Sequence, residues 1–113
     1  MVAAPYPPEK LIEEADLVGE AIVLSRESGR ARVRFTGLTK GRPRVGGLLG
    51  GLRLYRVATV SYRSRSEPVM LGDWWDEDCF VPGNRILTHL RWSSGKDCYE
   101  AVWWNATSII EKA

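Results

Sequence analysis

Residues 30–35 alternate strictly between arginine and apolar side chains, and this pattern constrains the fold more than any other in the chain. The segment reads Arg-Ala-Arg-Val-Arg-Phe. Successive side chains of a β-strand point to opposite faces, so one face of this segment is basic and the other is apolar. We therefore predict a half-buried antiparallel strand that presents Arg30, Arg32 and Arg34 outward.

Patterns elsewhere predict four further strands, with a short helix before the first and another after the last. Residues 9–15 carry their apolar side chains on one side, as an amphipathic helix does, and residues 106–112 are predicted to form a short terminal helix. The remaining strands are expected where apolar residues alternate or cluster, at residues 17–24, 52–65, 84–92 and 98–104. Residues 40–51 are glycine-rich and are predicted to form a loop.

These elements favour one small β domain. The chain has 113 residues, which suits a single domain over residues 1–113. The absence of strand–helix–strand alternation in the pattern disfavours a parallel sheet. We expect a mainly β fold, a five-stranded antiparallel barrel of the oligonucleotide/oligosaccharide-binding (OB) type. A short sandwich is the alternative.

Four short segments follow one another in an order that resembles one known family. They are residues 8–21, 38–41, 81–87 and 101–105. The first is similar to a short helix that ends in Ala-Asp and runs into a long strand, and the second to the hydrophobic-x-Lys-Gly that closes a second strand. The third resembles a Pro-Gly turn into a fourth strand, and the fourth resembles the last strand of small bacterial relatives. Together they resemble netrin-like domains, which include the tissue inhibitors of metalloproteinases, and they imply an OB-type barrel.

The resemblance does not extend to zinc-directed inhibition. Those inhibitors chelate the zinc of an enzyme through an N-terminal cysteine, and this chain has no cysteine before Cys79. We predict no metal and no cofactor for this chain.

The two cysteines, Cys79 and Cys98, flank the fourth predicted strand. With His89 as the one histidine, they fall short of a four-ligand zinc site. We expect a disulfide, which would close a loop of about 20 residues and stabilise the fold by roughly 3 kcal/mol. A disulfide suits an oxidising compartment. The first residues resemble the start of a mature protein after signal removal, so we expect an extracytoplasmic chain that is periplasmic, secreted or surface-anchored.

The net charge of +2 hides a basic middle segment, since residues 26–66 hold eleven basic residues and one acidic residue. Twelve of the sixteen basic residues are arginine, which favours bidentate and stacking contacts. The Trp74-Trp75 pair is interpreted as a lid over the core or as an aromatic platform for a ligand. The candidate binding residues are Arg30, Arg32, Arg34, Arg42, Arg44, Trp74 and Trp75.

The sequence carries no catalytic motif that we could place. His89 is alone, and the acidic residues 76–78 are interpreted as a solvated loop. We expect a non-catalytic domain that binds a protein or a cell-envelope polymer. Single-stranded nucleic acid is the alternative ligand, and an enzyme that uses Asp76 is a third possibility without a specific reaction. No apolar run is long enough to span a membrane.

Overall fold

The computed structural model describes residues 4–43, 56–64 and 75–113. In these ranges the chain forms one short α-helix, one turn of 3-10 helix (Glu77–Phe80) and six strands. No helix in the described ranges is long and apolar enough to cross a membrane. In chain order the α-helix and strands are α1 (Pro8–Glu14), β1 (Leu17–Glu27), β2 (Arg30–Lys40), β3 (Val57–Ser61), β4 (Arg85–Ser93), β5 (Cys98–Ala101) and β6 (Thr107–Glu111).

Five of the strands close into a barrel, and the predicted mainly β barrel fold with a leading helix is confirmed. The strands follow one another around the barrel in the order β1-β2-β3-β5-β4, and β4 pairs again with β1. The pairings are antiparallel except between β3 and β5. Because successive strands reverse direction, the third and fifth run the same way, so the seam that closes the barrel is parallel.

The observed strands differ from the predicted ones chiefly at their ends. β2 continues to Lys40, beyond the alternating residues 30–35. The strand predicted for residues 52–65 is observed as Val57–Ser61, while residues 52–55 and 65 lie outside the described residues. β5 ends at Ala101 rather than at residue 104.

The terminal helix predicted for residues 106–112 is wrong, because this segment forms β6. It pairs antiparallel with the first half of β4, with Thr107 opposite Thr88. The hydroxyl groups of these two threonines are 2.8 Å apart and share a hydrogen bond. Thr107 and Ile109 are half-buried while Ser108 is exposed, which is the period of a strand. Pairing with β4 therefore determined the secondary structure of a segment whose local pattern was ambiguous.

The barrel interior is filled by the apolar faces of the strands. Ala31, Val33 and Phe35 on β2 are at most 1% exposed, as the alternation predicted. Burying a side chain the size of Val or Phe contributes roughly 1.5–3 kcal/mol. The interior residues are Leu17, Ala21, Val23, Ala31, Val33, Phe35, Ala58, Val60, Tyr62, Phe80, Ile86, Leu90 and Tyr99.

Helix α1 packs on a second, smaller apolar cluster. Its one buried residue, Leu11, lies with Val18 and Val102 in that cluster. At the end of β2, the Lys40 ammonium donates a hydrogen bond to the carbonyl of Ile12 at 2.8 Å. The last carbonyls of a helix have no partner within it, so this bond satisfies one of them. The end of β2 is thereby attached to the end of the helix.

The predicted Cys79–Cys98 disulfide is wrong, because both cysteines are free. The Cys79 thiol donates to the carbonyl of Thr107, 3.8 Å away, and Thr107 pairs with Thr88 in β4. Cys98 pairs with Ser93, which is five residues further along β4. At about 3.3 Å per residue this separation is roughly 16 Å, far beyond the Cα distance that a disulfide allows.

Candidate functional site

The outward face of β2 is set by the tight hairpin that joins it to β1. Ser28 and Gly29 both have positive φ, at 52° and 80°. Positive φ at both central residues characterises the type I′ turn, whose twist matches that of the flanking strands. The turn pairs Glu27 with Arg30 and so fixes the register of β2. The arginines predicted to point outward are accordingly exposed: Arg30, Arg32 and Arg34.

Strand β3 supplies small side chains beside this arginine row. Each arginine faces one residue of β3, and the pairs are Arg30 with Ser61, Arg32 with Thr59 and Arg34 with Val57. Side chains on one face of a strand recur every two residues, or roughly 7 Å. Neither Arg32 nor Arg34 forms an ion pair with another residue in the described part of the chain. Two closely spaced positive charges are therefore open to a ligand.

Two loops meet at one end of the row. The Arg30 guanidinium donates through Nη2 to the carbonyl of Lys96 at 2.9 Å. Lys96 belongs to the turn between β4 and β5, so this bond joins that turn to the β1–β2 hairpin. OB barrels bind oligonucleotides and oligosaccharides on the face of β2 and β3, between these two loops. We call the outward side chains of Arg30, Arg32, Arg34, Thr59 and Ser61 the β2 face.

Arg42 and Trp75, two further predicted binding residues, lie outside the strands that form the β2 face. Arg42 is exposed but lies beyond the end of β2, where its carbonyl accepts a hydrogen bond from the Tyr99 hydroxyl at 3.5 Å. Trp75 is 41% exposed and lies two residues before the 3-10 turn, outside β2 and β3. Arg44 and Trp74 lie outside the described residues.

A cluster of charges that the sequence reasoning missed lies on β4 and β5. Arg91 on β4 is paired with Glu100 on β5, and its Nε donates to the Glu100 carboxylate at 3.2 Å. The Lys96 ammonium lies 3.6 Å from the other oxygen of the same carboxylate. The signal in the sequence was the short connection of residues 93–97 between two predicted strands, since a hairpin there brings Arg91 close to Glu100.

Asp76 is buried, contrary to the prediction of a solvated acidic loop. Its Oδ1 accepts a hydrogen bond from the amide of Arg63 at 2.7 Å, and its own amide donates to the Arg63 carbonyl at 3.2 Å. Burial raises the pKa of Asp76 to about 6, although the Arg63 hydrogen bond acts in the opposite direction. Burial also raises the pKa of the nearby Cys79 thiol. Asp76 therefore attaches the start of the 3-10 turn to the end of β3.

His89 has a structural role in β4. The side chain is 8% exposed, and its Nδ1 donates to the carbonyl of Ala106 at 2.8 Å. Within the described ranges, no three His, Cys, Asp or Glu side chains are grouped as a metal site would require.

Comparison with known proteins found no family model, no curated protein and no solved structure that matches this chain. The chemistry of the β2 face is therefore the basis for assigning a function.

Proposed function

We propose that this chain is a non-catalytic binding domain that holds an anionic polymer of the cell envelope on its β2 face. The observation that carries the proposal is the exposed row of Arg30, Arg32 and Arg34 beside the hydroxyl-bearing Thr59 and Ser61. Guanidinium groups offer paired donors that match carboxylate, sulfate and phosphate groups. Hydroxyl groups beside them add donors and acceptors for the uncharged part of a ligand.

The geometry of the row favours a polymer over a compact acidic protein. The charges repeat along one straight direction at roughly 7 Å, because they follow alternate residues of a single strand. A chain that carries an anionic group on each repeat can contact all three arginines at once. Each additional contact made by the same chain is intramolecular and so raises the overall affinity.

We propose further that the domain is netrin-like, and contacts among the resembling segments support this. Asp16, in the first segment, donates from its amide to the Leu90 carbonyl at 2.8 Å and so carries the chain from α1 into the barrel. Gly41, in the second segment, has a φ of 75°, and a Cβ there would overlap the Asp16 carbonyl. Two of the segments therefore pack directly on each other.

An extracytoplasmic location is part of the same proposal and rests on the resemblance, since the free thiols provide no support for it. Fractionation of cells that express the full-length gene tests the location. Recovery of the protein in the periplasmic, surface or culture fraction supports export. Recovery in the cytoplasm alone would contradict it.

Single-stranded nucleic acid is the second candidate ligand, because the β2 face is where OB barrels bind oligonucleotides. Such proteins combine positive charge with aromatic side chains on which bases stack. Among the described residues of β2 and β3, no aromatic side chain is exposed. The β2 face therefore offers contacts to charged groups rather than to bases.

Charge reversal on the β2 face tests the proposal. The variants Arg32→Glu and Arg34→Glu are compared with Lys112→Glu, which makes the same change of charge at an exposed residue beyond the barrel strands. Each protein is immobilised and exposed to an envelope fraction, to an acidic polysaccharide and to single-stranded DNA, at low and at high salt. We expect the affinity of the β2-face variants for the polysaccharide to fall roughly tenfold or more, because each variant loses a hydrogen bond between charged groups.

Salt and the control variant separate the outcomes. Binding through arginines releases counterions from the polyanion. Added salt opposes this release, so the affinity should fall steeply as the salt concentration rises. The Lys112→Glu protein should bind like the wild type. Equal capture of all three variants and the wild type would contradict the proposed role of the β2 face. Tighter binding of DNA than of every polysaccharide would favour the second candidate.

A further inference from the structure

A groove of about 200 Å³ opens beside the β2 face, at the end of the seam where β3 and β5 separate. The parallel pairing of β3 with β5 covers only two residue pairs and ends at Ser61 and Glu100. Beyond this point the Tyr62 amide donates to the Gly29 carbonyl, while the Val102 amide donates to the backbone carbonyl of His89. The two chain segments separate because each bonds to a different neighbour, and the groove lies between them.

Four charged side chains line the groove. Arg91 and Lys96 both contact Glu100, whose side chain is 26% exposed. Arg91 uses Nε for this contact, and its two terminal nitrogens make no hydrogen bond or ion pair with another residue in the described part of the chain. That end of a guanidinium is the fork that binds a carboxylate through two parallel hydrogen bonds. Arg63 also lines the groove and adds a third positive charge.

Glu100 determines which anion the groove suits. A carboxylate in the lining repels a ligand with several negative charges, such as a run of phosphates. The same carboxylate accepts hydrogen bonds from hydroxyl groups, and Ser61 adds a hydroxyl of its own to the lining. The groove therefore matches a ligand that has a single carboxylate next to several hydroxyl groups.

Trp103 supplies an aromatic wall of fixed orientation. Its ring stacks on Tyr6 with centroids 4.7 Å apart and an angle of 8° between the planes. Its indole nitrogen donates to the carbonyl of Ala4 at 2.9 Å. An aromatic ring that is held in place in this way is a rigid apolar surface for the carbon skeleton of a ligand.

We propose that this groove binds one hexuronate residue of an acidic polysaccharide. The uronate carboxylate bonds to the terminal nitrogens of Arg91, its hydroxyl groups donate to Glu100, and its ring lies near Trp103. The groove is continuous with the β2 face, because Arg30 contacts Lys96 and pairs with Ser61. The inference rests on the proposed function and narrows the anionic polymer to one that carries carboxylates on its sugars.

Calorimetric titration with a single sugar tests the groove apart from the β2 face. The probes are galacturonate, galactose, a galacturonate tetramer and single-stranded dT oligomers, and the proteins are wild type, Arg91→Gln, Glu100→Gln and Arg34→Gln. We expect galacturonate to bind at least tenfold more tightly than galactose. Arg91→Gln should remove that preference, whereas Arg34→Gln should weaken binding of the tetramer more than binding of the monomer.

Glu100→Gln gives a result that loss of packing would not produce. Removal of the charge should weaken galacturonate binding severalfold, because the carboxylate is a stronger acceptor than the amide. The same variant should strengthen dT binding, since a repelling charge is gone. Thermal unfolding of each variant checks that it is folded, and the Arg91 and Glu100 side chains are both at least partly exposed.

The outcomes distinguish the two proposals. Equal affinity for galacturonate and galactose overturns the proposal that the groove binds a hexuronate. A galacturonate affinity that Arg91→Gln does not change overturns it as well. If the tetramer still binds and still depends on Arg34, the proposed function stands without the groove. If no polyanion binds at low salt, the proposed function falls, and this inference falls with it.

Discussion

The carboxylate of Asp16 accepts a hydrogen bond from the backbone amide of Trp92 at 2.8 Å. Asp16 directly precedes β1, and Trp92 lies near the end of β4, so the bond joins residues that are 76 positions apart. The Asp16 amide donates to the carbonyl of Leu90 on the same strand. The side chain and the backbone of one residue together extend the ladder between β1 and β4 beyond its last residue pair.

Loss of the Asp16 carboxylate should therefore destabilise the barrel. We expect Asp16→Ala to lower the free energy of unfolding by about 1–2 kcal/mol, because the Trp92 amide loses a charged acceptor. Asp16→Asn retains an acceptor oxygen and should cost less. Urea denaturation measures both values. Glu13→Ala, at an exposed site on α1, is the control and should change stability by less than about 0.5 kcal/mol. An equal effect of Asp16→Ala and Glu13→Ala would contradict the role of the bond.

Two glycines on adjacent strands should respond in opposite ways to alanine. A Cβ on Gly19 would overlap the Gly37 carbonyl oxygen and lie 3.0 Å from the Phe35 ring, so β1 and β2 would have to separate. We expect Gly19→Ala to cost more than about 2 kcal/mol, as overpacking against a rigid neighbour does. A Cβ on Gly37 meets nothing within 4 Å. Gly37→Ala should be neutral, or stabilising by up to about 1 kcal/mol, because alanine restricts the unfolded chain.

Urea denaturation of the two alanine variants at one pH measures this contrast. Circular dichroism should show that Gly37→Ala keeps the wild-type strand signal. Similar stability of the two variants would mean that β1 and β2 are not packed as closely at Gly19 as the structure has them.

Stability should fall as pH rises through the titration of Asp76. The pKa of this carboxyl is about 6 in the folded chain, against 3.8 for an unperturbed aspartate. The folded state thus binds the proton more tightly, and this contribution to stability is complete below about pH 3.8 and is lost as the pH rises through about 6. At about 1.4 kcal/mol per pKa unit, the loss at neutral pH is at most about 3 kcal/mol.

Asp76→Asn isolates this term, because asparagine keeps an oxygen that can accept the Arg63 hydrogen bond and does not titrate. The free energy of unfolding of both proteins is measured by urea denaturation from about pH 4 to about pH 7.5. We expect the variant to gain stability relative to the wild type across this range, by about 2–3 kcal/mol at the upper end. If the stability difference between the two proteins stays constant with pH, the pKa of Asp76 is not raised in the folded chain.

Both cysteines should react as free thiols. After denaturation without reductant, iodoacetamide should add two groups per chain, as counted by mass spectrometry. In the folded protein Cys79 should react slowly, since burial raises its pKa and the thiolate is the reactive form. Cys98 is 1% exposed and should react only when the protein unfolds. If the denatured chain reacts with iodoacetamide only after reduction, the two cysteines form a disulfide and the free-thiol prediction is wrong.

Much of the β2 face could be predicted from the sequence, because alternation is a local property. The arginine row follows from residues 30–35 alone, and the Ser28-Gly29 turn lies where the sequence has no apolar residue. The groove could not be predicted in the same way. Its lining comes from three strands and from the residues that follow them, and Arg63 and Glu100 line it together only when the seam between β3 and β5 forms.

The incorrect predictions share a physical cause. Residues 106–112 contain both helix-forming and β-branched residues, and the Thr88–Thr107 pairing decided between the two states. Asp76 lies in an acidic stretch that reads as solvated, yet the end of β3 packs against it. Local composition carries no information on such contacts, because they join distant parts of the chain.

By itself, the sequence determined the strand pattern, the apolar interior and the basic outward face, because the period of two that places side chains in or out is carried by adjacent residues. The tertiary structure alone decided which strands are neighbours, where the seam opens, that the last segment is a strand and that the thiols lie far apart. These features depend on the closure of the barrel, which is a property of the whole chain.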